Sequence, residues 1–135
     1  MRTDGWIPFQ SRVALVFAGA GQNVIAAPRK ELHKIFAEIR RERKDLFPEL
    51  QFVTLSSYPY STDLDDALAL LQNDGFLSAD NPYWERLRLN EQEKQPLVAE
   101  ALRRNSEQAK ALMAFGERYA QQLTRAGDGQ QTPAR

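Results

Sequence analysis

A mostly helical α+β fold with a small β-ribbon is predicted by three observations. Two amphipathic helical patterns are separated by a β-prone, proline-containing stretch. The second pattern ends at Gly75 and runs into Phe76-Leu77. An alternating segment, Tyr83 to Leu89, follows, with Tyr83, Glu85, Leu87 and Leu89 on one side and Trp84, Arg86 and Arg88 on the other. Helix, helix and β-ribbon in that order predict a winged-helix-like domain.

The elements follow in chain order. Ser11 can cap a first helix whose Val13-Ala14-Leu15-Val16-Phe17-Ala18 stretch is apolar all round, and Gly19-Ala20-Gly21 breaks it. Pro28 is suited to the first turn of a second helix, predicted from Pro28 to Lys44. Within it Leu32, Ile35, Phe36 and Ile39 recur at the spacing of one buried face. Phe52–Leu55 is β-prone, and Tyr58-Pro59-Tyr60 reads as a turn. Ser61 or Thr62 caps a third helix with Leu64, Ala67, Leu68 and Leu71 inward, and Gly75 closes it. Phe76-Leu77 and Tyr83–Leu89 read as two strands joined by Ser78–Pro82.

Pro96 is expected to restart a helix. Val98, Leu102, Asn105, Ala109, Leu112, Gly116, Tyr119 and Leu123 then form a heptad-like seam. Asn105-Ser106 is a candidate break within it. The seam admits two readings: packing inside the chain, or a homodimer through the C-terminal helix with Asn105 setting register. The expected organisation is a single winged-helix-like domain over 1–124, with its core at 11–90 and a helical extension at 96–124. A flexible, Gly/Gln-rich tail is expected at 125–135.

Composition narrows the function classes. Hydrophobic residues make up 42% of 135, enough for a core, and there is no cysteine, so thiolate metal sites and disulfides are excluded. No apolar run approaches the roughly 20 residues of a membrane span, and the expected location is cytoplasmic. Zero net charge conceals an uneven distribution. Residues 1–60 carry nine Lys/Arg against six Asp/Glu, 61–100 three against nine, and 101–135 six against three. An acidic middle suits a protein partner better than a phosphate backbone.

Chemistry-bearing motifs are sparse. His33, the one histidine, falls about 100° from Leu32 on a helical wheel, a boundary position with no local carboxylate partner. Asp63 and Asp65 point about 200° apart and do not converge on a metal; with Asp66 they read as caps and partners of the helix dipole. Gly19-Ala20-Gly21 lacks the third glycine of a dinucleotide loop, since position 24 is valine. Ser56, Ser57 and Ser61 lack an activating base. Neither cofactor nor catalytic set is expected.

The turn and its flanks resemble a known family. Arg29, Leu32, Lys34 and Ile35 resemble a basic "R-x-x-L-x-K-I" helix. Ser57-Tyr58-Pro59-Tyr60-Ser61 is similar to an aromatic "Y-G-P-Y-S" turn, and Leu64, Leu68, Leu71, Gly75 and Leu77 to the amphipathic ending "L…G-L". These features resemble the YwgA-like proteins and the related Panacea-type antitoxin domains over residues 11–90. The resemblance implies a winged-helix-like domain without established catalysis, often linked to toxin–antitoxin or phage-defence contexts, and no catalytic residues.

The functional expectation is a non-enzymatic protein-interaction or regulatory module. Its candidate partner-binding residues are Tyr58, Tyr60, Trp84, Arg86 and Arg88, because aromatic and arginine side chains dominate interface energetics. The rival is a DNA-binding winged-helix regulator using Arg40, Arg41, Arg43 and Lys44 with the wing arginines. The predicted third helix opposes it, having no Lys or Arg between Ser61 and Gly75. A small hydrolase would need a carboxylate partner for His33.

Overall fold

The computed structural model describes residues 7–55, 58–79 and 87–124. Helix α1 (Phe9–Gly19) buries every residue from Arg12 to Phe17. A helix apolar on all sides must be enclosed, and this one is packed by three others: α3 (Thr62–Asn73), α4 (Glu91–Arg104) and, most extensively, α5 (Ser106–Arg118). It begins earlier than expected. Ser11 lies inside the helix, and the Pro8 carbonyl accepts from the Arg12 N–H at 2.9 Å.

Helix α2 (Arg29–Glu42) buries Leu32, Ile35, Phe36 and Ile39 as its spacing requires. Pro28 precedes it in extended conformation, and a 3₁₀ turn at Lys44–Leu46 follows in place of the helix's predicted last turn. Strands β2 (Val53–Leu55) and β3 (Tyr58–Tyr60) pair antiparallel, with Val53 opposite Tyr60 and Leu55 opposite Tyr58. Tyr58-Pro59-Tyr60 is therefore a strand and not a turn. Proline is tolerated because this ribbon has only two strands, so both are edges.

Ser61 caps α3 by accepting from the Leu64 N–H at 3.3 Å. The helix closes on Gly75 at φ +88°, with Phe76 N–H donating to Leu71 O and Gly75 N–H to Gln72 O, a Schellman arrangement. The chain then enters the main sheet. Strands β1 (Val24–Ile25), β4 (Leu77–Ala79) and β5 (Leu87–Leu89) are antiparallel in the order β1-β5-β4. Leu87 and Leu89 face inward and Arg88 outward, the predicted alternation. The strand at Val24–Ile25 has no counterpart among the sequence expectations.

Helix α4 begins at Glu91 behind the Asn90 cap, not at Pro96, which lies within it. Asn105 separates α4 from α5 and caps α5, accepting from the Gln108 N–H at 3.0 Å. A last helix, α6 (Ala120–Thr124), returns to the sheet, where the Leu123 carbonyl accepts from the Ala26 and Ala27 N–H groups at 2.8 and 3.2 Å.

The α1–α5 crossing depends on two glycines. A Cβ on Gly19 would lie 2.1 Å from the Met113 carbonyl oxygen, and one on Gly116 would lie 1.9 Å from that of Val16. The backbones touch where any side chain would wedge them apart. Ala109, Leu112, Gly116 and Leu123 of the seam are buried within the chain. Asn105 sits there as a helix cap.

Candidate interaction surface

A polar cluster joins α2, β3 and α3. His33 is fully buried, contrary to the boundary position expected of it. The hairpin β2–β3 packs on α2 and widens its buried face to include the ring. Tyr60 stacks on His33 with ring centres 4.7 Å apart, and Tyr58 meets it edge-on at 6.2 Å. The imidazole Nδ1 accepts from the Ser61 N–H at 3.0 Å, and Nε2 lies 3.1 Å from Asp65 Oδ1. A backbone N–H can only donate, so the proton of the neutral ring belongs on Nε2, where it is given to Asp65.

Asp65 gathers further donors: Tyr60 Oη on Oδ2 at 2.5 Å and Arg29 Nε on Oδ1 at 3.2 Å. Burial raises the Asp65 pKa, but hydrogen bonds from Tyr60, Arg29 and His33 outweigh it and hold the carboxyl below its ordinary range. Burial lowers the His33 pKa below its usual value, with Asp65 partly offsetting the effect. The hydrogen bond to Asp65 raises that of Tyr60. The carboxylate partner that a hydrolase would need is thus present. Both ring nitrogens are nevertheless engaged and the ring has no exposed surface, so a substrate cannot reach the imidazole.

The acidic side chains of α3 diverge, as their spacing requires. Asp65 turns to α2, while Asp63 Oδ2 accepts from the Gln51 N–H at 3.1 Å. Among the described residues no group of His, Asp and Glu is arranged to hold a metal ion.

Of the expected partner-binding residues, Tyr58 and Tyr60 are half-buried around His33, and Arg88 lies on the outer face of β5. Trp84 and Arg86 lie outside the described residues. The basic run is largely matched by acids nearby. Arg41 pairs with Glu38 at 2.8 Å, and Arg43 with Asp45 through two bonds of 2.9 and 2.8 Å. The bond from Arg43 lowers the Asp45 pKa and raises that of Arg43 itself. Glu42, in the same stretch, pairs with Arg118. Arg40 is half-buried, and Lys44 is exposed.

Arg12 is the buried charge that sequence reasoning passed over. Its Nε donates to Ile7 O and Nη1 to Leu46 O, both at 2.8 Å, and the guanidinium forks onto Glu49 at 2.8 and 2.5 Å. Burial opposes ionisation of Glu49, but the Arg12 hydrogen bond helps hold its pKa below the ordinary value. The pair ties the start of α1 to the loop after α2. Its sequence signal was weak: one arginine beside an apolar run.

Among the described residues no helix is long and apolar enough to cross a membrane. No protein-family model matches the chain, and neither a curated protein nor a solved structure matches it.

Proposed function

We propose that this chain is a non-enzymatic protein-interaction module with a regulatory role, built on a winged-helix-like frame. The setting suggested by the resemblance is antitoxin-like or linked to phage defence. Two features support the frame: the order α1, β1, α2, α3, β4, β5, interrupted between α2 and α3 by the 3₁₀ turn and the β2–β3 ribbon, and a sheet in which the last strand lies between the other two.

The observation that carries the interaction reading is the state of the leading end of α3. In a DNA-reading winged helix that end enters the major groove and offers basic or amide side chains to base edges. Here it offers Asp63, Asp65 and Asp66, and two of these are tied to neighbouring elements. The local pairing of Arg41 and Arg43 further weakens the field available to a phosphate backbone.

The test is a mobility shift of the full chain on random duplex DNA at about 50 and about 200 mM salt. Little binding at either concentration is the expected result. Tight binding with a steep salt slope, lost in Arg43→Ala and Arg86→Ala, would establish the DNA-binding regulator instead.

A further inference from the structure

We infer that the outward face of α3 and the cleft beside it form a docking surface for a segment of another protein, one that presents apolar side chains flanked by lysine or arginine. This rests on the interaction-module reading and names the chemistry of its partner. Asp66, Leu70 and Asp74 follow one another at intervals of four residues, which aligns them on one side of the helix. Leu70 is 45% exposed, and only Val53 joins it as a large exposed hydrophobic among the described residues. Asp74 forms part of the wall of a cleft of about 320 Å³. Ile7, Leu71, Phe76 and Leu97 are among its apolar lining residues, and Glu93 of α4 is also part of it.

Charge complementarity selects the occupant. Asp66, Asp74 and Glu93 are exposed, and their carboxylates form no hydrogen bond or ion pair among the described residues. At the same cleft Glu100 is already paired with Arg103 and Arg104. The unmatched charge is therefore negative, and it borders apolar surface. A cation-flanked apolar segment satisfies both features, whereas a polyanion is repelled. Leu70 is not part of the cleft lining, so the contact extends past what a small molecule would cover. An amphipathic helix laid in a groove reads such a stripe through anchors spaced by one turn.

The experiment uses fluorescence anisotropy on the full chain. The probes are a labelled amphipathic Lys/Leu peptide of about 14 residues, its Glu/Leu counterpart, and a random DNA duplex, each at about 50 and about 200 mM salt. The Lys/Leu peptide is expected to bind and the Glu/Leu peptide to stay free. Leu70→Ser, and Asp74→Lys combined with Glu93→Lys, should each weaken binding at least about tenfold. Val53→Ser should leave it unchanged. The substituted side chains are exposed, and circular dichroism melts verify that each variant folds. The inference is overturned if the Lys/Leu peptide does not bind, if the double variant binds it equally well, or if the Glu/Leu peptide binds as tightly. Failure of the peptide with a silent duplex removes the docking surface alone. Tight, salt-steep duplex binding removes the interaction-module reading beneath it.

Discussion

His33 donates from Nε2 to Asp65, 3.1 Å away on α3, while its Nδ1 receives the N–H of Ser61, the residue that caps that same helix. One ring thus holds both the backbone entry and the first-turn carboxylate of α3 against α2. Replacing it with alanine removes a buried ring and orphans a buried N–H. We expect His33→Ala to cost roughly 2–4 kcal/mol in urea unfolding. His33→Phe keeps the stack on Tyr60 and loses only the polar contacts, for about 1–3 kcal/mol.

The same ring gives stability a dependence on pH. Its folded pKa is depressed, so the unfolded chain binds the proton more readily. Stability therefore falls as pH drops through about 6.5 toward the folded value. The groups facing the ring are Asp65 of α3, Arg29 of α2, and Tyr58 and Tyr60 of β3. Asp65 and Glu49 are also depressed, but they are carboxylates. Their contributions are present above the ordinary carboxylate pKa and are lost at lower pH, as each passes its folded value. Urea midpoints at pH 8, 6.5 and 5.5 should decline for the natural chain, and His33→Phe should flatten that decline.

The α1–α5 crossing predicts a sharp size limit. Gly116→Ala places a methyl 1.9 Å from a backbone oxygen, where no side-chain rotation can relieve it. The helices must separate, and the cost should reach about 3 kcal/mol or more, at the upper end of overpacking effects. Gly19→Ala should behave alike. Gly21→Ala meets no atom within 4 Å and is the milder comparison, its φ of +83° alone costing about 1–2 kcal/mol. Thermal melts of the three variants would rank them.

Arg12 and Glu49 differ in burial, at 1% and 33% side-chain exposure. Arg12→Ala strands the Ile7 and Leu46 carbonyls, leaves Glu49 unpaired and opens a cavity, so a loss of about 3–5 kcal/mol is expected. Glu49→Gln keeps an acceptor and reaches solvent, for about 1–2 kcal/mol. Equal losses in chemical unfolding would mean that Arg12 is not anchored mainly by the backbone carbonyls.

Local rules made much of this molecule legible. The inward faces of α2 and α3, the Ser61 cap, the Gly75 ending and the break at Asn105 each depend on residues within a turn or two of one another. What was missed depends on distant chain. Val24–Ile25 is a strand because β5 lies beside it, and two residues carry no periodicity. Tyr58–Tyr60 reads as a turn because of Pro59, until Val53–Leu55 supplies a partner. His33 sits at a boundary only if nothing covers α2, and Asp65, 32 positions later, is invisible to helix-face reasoning. Gly19 looked like a helix breaker. Its second role, letting Met113 approach, belongs to a helix nearly a hundred residues downstream.

That last distance has a bearing on biosynthesis. Helix α1, the most apolar of the helices α1 to α5, leaves a ribosome well before α5, its principal cover. Until then α1 must remain solvated, shielded by a chaperone, or packed only against α3 and α4. A nascent chain stalled after α4 would expose the groove meant for α5, making late arrest the stage most vulnerable to aggregation.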